Sequence, residues 1–232
     1  MIEIYDVNHD TDSCMEVWQG LYQVIYPQFF GKYFDFSKLE DKETPAKCKR
    51  WYIKLRDDFE GKQIYPKFKM AGDCIFNFSE KKFDIFDKLI NHSSEGKELL
   101  EKCVDHHHCF ENFAFMPITG GMNNQKGSNR LDRPDIHSHE IEKYFCGEES
   151  KIFNNARKNR VALEWYLSLF NRNIYKYLET IYLIEEEEFW EKKFLPFAKV
   201  KINTENTAIK YMELALEFWE KRKMYLENVG II

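Results

Sequence analysis

Along the second half of the chain, apolar residues recur at the three-to-four-residue interval of an amphipathic helix, whereas the first forty residues, residues 64–78 and one central stretch break that rhythm. The last helix is the clearest. Thr204 is placed to cap it, Ala208, Met212, Ala215 and Trp219 form its apolar stripe, and Ile209 and Leu216 widen that stripe. Upstream, 174–184 reads as a helix, set apart by Asn171-Arg172-Asn173 from a long helix over about 150–170. That long helix would place Phe153, Val161, Trp165 and Leu169 on one side. A further helix over 136–146 ends at Gly147.

In the first half, Ser79 is placed to cap a helix through Phe83, Phe86, Leu89 and Ile90, and a shorter helix runs over about 94–104. Cys48, Trp51, Tyr52, Leu55 and Phe59 have helical spacing between Pro45 and Gly61, which predicts another. Residues 64–78 contain Tyr65-Pro66, Gly72 and an alternating patch and read as strand or loop. The first forty residues are aromatic and irregular. IEIY alternates, and VWQGLYQVIYPQFF reads as a short helix or buried extended segment ended near Pro27.

These patterns predict a mainly α fold: a helical bundle with a small irregular or short-stranded aromatic N-terminal part. No internal repeat or flexible linker interrupts 1–232, so one domain is expected, with 1–78 as the aromatic part and 79–232 as the helical part. Composition sharpens this picture. With 20 Phe, 13 Tyr and 5 Trp against 10 Gly and 6 Pro, the chain favours a bulky, ordered core over disorder.

The formal net charge is −5, without a basic tail. Duplex nucleic acid is held largely through phosphates by a basic stripe, so weak duplex binding at physiological salt is expected. The basic clusters at Lys47, Lys49 and Arg50, at Lys67 and Lys69, at Arg157, Lys158 and Arg160, and at Lys221, Arg222 and Lys223 read as solvated faces. No apolar run approaches the ~20 residues of a membrane span. The opening MIEIYDVNHD has no apolar leader core, and the six scattered cysteines form no CxxC pair. Reduced thiols in a cytoplasmic protein, with no membrane partner, are therefore expected.

The stretch that packing does not explain is 105–133, DHHHCFENFAFMPITGGMNNQKGSNRLDR. Its three consecutive histidines carry metal donors, but adjacent helical residues point about 100° apart and do not converge on one ion. Histidines at a helix end, favoured by its negative pole, are the plainer reading. His137 and His139 share a face only in a strand, and Asp135 leading into a Tyr-bearing pattern favours helix. TGGMNNQKGS lacks the order of a phosphate-binding P-loop and reads as a structured turn whose Gly and Asn residues take positive φ. The acids of EEEEFW, at 185–190, suit a solvated helix start.

From Phe110 onward the chain resembles an uncharacterised bacterial family of mostly helical proteins, over about half its length. Asn112-Phe113 match that family's N-[FY], Met116-Pro117 precede the turn, and Asn123, Asn124, Lys126 and Gly127 match its Asn…[KR]-G part. Asp132-Arg133, FLPF at 194–197 and LEFWEKRK at 216–223 come later in the same order. Glu111 departs from the Gly preferred there. This resemblance implies a helical fold and no particular activity.

The segment HHHCFENFAFMPITGGMNNQKGS is also remotely similar to the His-Asn-His type nuclease domains of DNA-restriction proteins, without their upstream Asp-His element. That similarity implies His107 or His108 as the water-activating base, Asn112 as its orienting residue, and Asn123 as the downstream residue.

Three functions are expected in turn: a binding protein acting through 105–133, a metal-dependent nuclease using His107, His108, Asn112 and Asn123, or a phosphate site at Lys126 and Arg133 beside Asn124. The metal, cofactor and partner stay open.

Overall fold

Four antiparallel strands provide the frame on which the helices pack. In the computed structural model, which describes residues 18–232 apart from 39, 44–48, 63–64, 66, 91–92, 120–126, 129–130 and 155, they are β1 (Glu40–Glu43), β2 (Lys49–Lys54), β3 (Lys69–Cys74) and β4 (Phe113–Pro117), in spatial order β1-β2-β3-β4. Tyr52 faces both Glu40 and Ala71, and Gly72 faces Phe115. Pro117, which has no N–H to offer, sits at the last position of the edge strand β4, where a ladder bond is dispensable.

The chain first enters as a π-helical segment, Trp18–Ile25, that continues into α1 (Tyr26–Phe30). Pro27 does not end this helix, contrary to expectation. It lies in the first turn of the α segment, just after the π-wound stretch, and the helix continues through it to Phe30. The same junction recurs later: α7 (Glu187–Phe189), a π-helical Trp190–Phe194 and α8 (Leu195–Phe197), with Pro196 in the first turn of α8.

Between β3 and β4 lie α2 (Glu80–Ile90) and α3 (Ser94–Asp105); Ser93 caps α3 by accepting from the Gly96 N–H. A two-residue pair, β5 (Gly127–Ser128) with β6 (Leu131–Asp132), precedes α4 (Pro134–Phe145), and Gly147 follows α4 with φ +79. Next come α5 (Arg160–Ser168), α6 (Ile174–Tyr182) and the long α9 (Glu205–Asn228). Thr204 and Thr207 cap α9 reciprocally. The fold is mainly α, as expected. No helix among the described residues is long and apolar enough to cross a membrane.

Two predicted helices are corrected. The stretch expected to be helical between Pro45 and Gly61 contains β2, where β-branched and aromatic residues pair on both sides with β1 and β3; Leu55 then bridges to Phe34. Residues 150–170 form short 3-10 turns at Lys151–Phe153 and Arg157–Asn159 before α5. Asn154 and Asn159, poor helix formers, flank the interruptions, and Val161, expected on the core side, is exposed. By contrast, Asn171 and Arg172 both have positive φ, and Asn173 caps α6 by accepting from the Lys176 N–H, so the break predicted there stands.

Across residue 78, β4 from the central motif pairs with β3 from the aromatic part. Phe115 is the hinge of that packing, with its ring 5.3–6.1 Å from those of Tyr22, Tyr26, Phe30, Phe34 and Phe36. Burying one such ring stabilises a fold by about 1.5–3 kcal/mol. One hydrophobic core runs from Leu21 to Leu226.

Candidate functional site

The helix α3 stops at Asp105, and the three histidines fall in the turn behind it, with His106 as its C-cap. A 3-10 turn, Phe110–Asn112, then turns the Asn112 side chain into the interior, where it is fully buried. Its amide works as a surrogate peptide group beyond the end of β3. Oδ1 accepts from the Phe76 N–H at 2.9 Å, and Nδ2 donates to the Phe76 carbonyl at 2.7 Å. Nδ2 also donates to the His107 carbonyl at 2.8 Å, and Oδ1 accepts from Trp219 Nε1 at 3.0 Å. One side chain thus ties β3, the histidine turn and α9 together, with every amide hydrogen and both lone-pair directions used.

The histidines divide. His106 is exposed and stacks on the Trp219 indole, with ring centroids 5.7 Å apart and planes 11° apart. His107 is buried, and its Nδ1 accepts from the Phe78 N–H at 3.4 Å; the His108 ring lies 4.4 Å from it. The expectation of three exposed histidines is therefore corrected: the turn after α3, unlike a continuing helix, folds His107 inward. The structure brings His107 and Asn112 together, but as interior neighbours. Among the described residues no group of three or more His, Cys, Asp or Glu is placed to hold a metal ion. Asn123, Asn124 and Lys126, and the positive-φ reading of their turn, lie outside the described residues.

Arg133 is also interior. Its guanidinium forks onto Asp135, Nε to Oδ1 at 3.0 Å and Nη2 to Oδ2 at 2.6 Å, and Nη2 also donates to the Phe197 and Val200 carbonyls. The rings of Phe197 and Tyr211 flank it at 5.6 and 5.7 Å. The Tyr211 hydroxyl donates to the Asp132 carbonyl, and burial, followed by the nearby Asp135 charge, keeps that phenol protonated. Arg133 is committed to the fold, not held out for a phosphate. On α4, His137 is buried and His139 pairs with Glu142 at 2.9 Å; a two-residue step on a helix turns them about 200° apart.

Sequence reading missed Arg222. Grouped with Lys221 and Lys223 as a solvated face, it is completely buried, and its Nη2 donates to the Phe113 carbonyl and to the Tyr26 hydroxyl. The signal was present: 222 follows Trp219 by three and Ala215 by seven, on the apolar stripe.

On the surface, a cleft of about 310 Å³ opens just beyond the end of β4, lined by Tyr65, Lys67, Thr119, Lys158 and Asn159 among others. Thr119 is fixed there by accepting from the Lys69 N–H at 2.7 Å. Both cleft lysines are exposed, and no carboxylate lines the cleft among the described residues. Lys67 and Lys158 were also read as solvated cations, and nothing in the linear sequence joins them.

The cysteines nearby are poor nucleophiles. Burial pushes the Cys109 thiol up to about 11, with Glu111 and Asp105 adding to the effect, and burial pushes Cys103 up as well. At pH 8 this leaves Cys109 with roughly a hundredfold less thiolate than an ordinary thiol. Exposed Cys146 should therefore take up iodoacetamide long before Cys109 in the folded protein. Equal labelling of the two peptides in a mass-spectrometric time course would contradict this environment.

Comparison of the chain with protein-family models, with curated proteins and with solved structures gives no match.

Proposed function

We propose that this is a binding protein that takes a small phosphate-bearing ligand with a flat ring in the cleft beyond the end of β4. The observation that carries the reading is the pairing of Lys67 and Lys158 around a cleft that has no carboxylate among its described lining residues. Ammonium groups bind phosphate as point charges, and Tyr65 offers an aromatic surface beside them. The volume lies at the lower end of the range for small-molecule sites. The C-terminal helices then act as a bundle that holds the buried half of 105–133 rigid beneath the turn. A cytoplasmic setting fits the free thiols of Cys74, Cys103, Cys109 and Cys146. Placement in the uncharacterised bacterial family rests on the shared order of its motifs.

The nuclease reading is not carried forward. A base-orienting Asn must face the reacting groups, and both ends of the Asn112 amide face the interior.

Calorimetric titration with ADP, adenosine and inorganic phosphate tests the proposal. ADP should bind, adenosine more weakly, and Lys67→Glu with Lys158→Glu should weaken ADP by roughly tenfold per charge reversed. Both positions are exposed, so folding is retained. Equal ADP binding by the variant, or none by the wild type, overturns the proposal. Mn²⁺-dependent DNA cleavage abolished by His107→Ala would restore the nuclease in its place.

A further inference from the structure

The interior around Arg222 is rich in hydrogen-bond donors and poor in acceptors. Arg222 Nε and Nη1 are buried with no hydrogen-bond partner, and so are the hydroxyls of Tyr166 and Tyr177. The guanidinium meets no carboxylate among the described residues; its Nη2 reaches only the Phe113 carbonyl and the Tyr26 hydroxyl. That hydroxyl is itself oriented by donating to the Ile181 carbonyl at 2.8 Å. Tyr182, whose ring centroid is 6.5 Å from that of Tyr177, sits beside the same group, with its hydroxyl 3.5 Å from Ser138 Oγ.

The phenols are near enough to influence one another electrostatically: Tyr166 responds to Tyr26 and Tyr182, and Tyr177 to Tyr166, Tyr182 and Tyr26. Burial first, and these neighbours second, push the Tyr166 and Tyr177 phenols well up, so both are neutral donors at physiological pH and supply no counter-charge. An arginine remains charged in a protein interior, and an isolated buried charge is strongly unfavourable. Tyrosine hydroxyls in a core ordinarily find partners. Arg222 of α9 joins Tyr26 of α1 and Phe113 of β4 by hydrogen bonds, and the Tyr26 phenol is in turn the electrostatic neighbour of Tyr166 on α5 and Tyr177 on α6.

We infer that this tyrosine-surrounded interior is an enclosed site for a small monovalent anion of carboxylate or halide type, with Arg222 supplying the charge and Tyr166 and Tyr177 donating hydrogen bonds. The Nε–H and Nη1–H lie on either side of the occupied Nη2, so the anion takes one guanidinium hydrogen and the phenols complete its shell, in place of a two-pronged grip. The site is separate from the lysine cleft, which shares none of these residues.

The test is the thermal midpoint against sodium formate, with ionic strength held by sodium gluconate, whose anion is too large to be enclosed. A ligand that binds only the folded state raises the midpoint progressively as its concentration passes Kd. The wild type should show that rise with formate, and a parallel bromide series reports whether the site also takes halide. Tyr166→Phe with Tyr177→Phe, a change that removes two oxygens and keeps both rings, should weaken the apparent affinity roughly tenfold. Arg222→Met should lose the response, and Lys67→Glu with Lys158→Glu should retain it. No rise with formate or bromide in the wild type overturns the inference and assigns the donors to buried water. So does a response unchanged in the double phenylalanine variant, which decides the matter even where Arg222→Met fails to fold.

Discussion

Asn112→Ala should lower the stability of the folded protein by about 3–5 kcal/mol, a loss near the upper end of single-residue effects. The reason is the number of partners stranded together. The Phe76 and Trp219 N–H groups lose their acceptor, and the Phe76 and His107 carbonyls lose their donor, all in a site closed to water. Each such group costs about 1–3 kcal/mol when left unsatisfied, and because the four share one side chain their costs do not add fully. Asn112→Asp separates hydrogen bonding from volume. It keeps an acceptor for the two N–H groups but turns an oxygen toward two carbonyls. Burial and those carbonyls raise the folded-state pKa of the new acid above its unfolded value, so the deficit relative to wild type grows as the pH rises above about 4. Urea midpoints of wild type and both variants at two pH values measure this. An Asn112→Ala midpoint within error of wild type would remove Asn112 from its place as the tie between sheet and helix.

The same contacts explain what the motif encodes. Segments far apart in sequence touch one another in space. Asn112 bonds Trp219, Arg222 bonds the Phe113 carbonyl, and Arg133 bonds the Phe197 carbonyl. These are polar ties between an otherwise apolar sheet and its helices, and such ties select one packing among many that the rings alone would allow. A chain so rich in large aromatics has ample burial; it needs directional bonds to fix which ring meets which.

Much of the fold was legible where packing is one-sided. The stripe of α9, with Ala208, Met212, Ala215 and Trp219 all buried, and the break at Asn171-Arg172 reflect periodicity and backbone preference. The strand β2 was not legible, because its consecutive residues Tyr52 and Ile53 are both buried, and burial on both faces removes the alternation that distinguishes a strand from a helix. The candidate cleft was hidden for another reason. Lys67 and Lys158 are about ninety positions apart, and only the closure of α5 against the start of β3 sets them around one space. The interior role of Asn112 was readable in the sequence, since a polar side chain inside FENFAFMP needs partners. The interior role of Arg133 was not, because its partners at Phe197 and Val200 come from a distant turn.

The ion pair at that turn gives the second large effect. Asp135 is fully buried, and Arg133 is the guanidinium that neutralises it. Arg133→Ala leaves a carboxylate in the interior without a counter-charge and strips the donor from two carbonyls, so a loss of about 3–5 kcal/mol is expected. Arg133→Met combined with Asp135→Leu removes both charges and fills the volume, and it should recover most of the stability, because the desolvation of two ions is removed with their attraction. Arg133 also lies between the rings of Phe197 and Tyr211, so its apolar replacement keeps part of that contact. A double-mutant cycle on denaturation midpoints isolates the coupling. If the double variant is as unstable as Arg133→Ala alone, the pair is not what anchors α4 to the turn after α8, and the carbonyl bonds to Phe197 and Val200 carry that role instead.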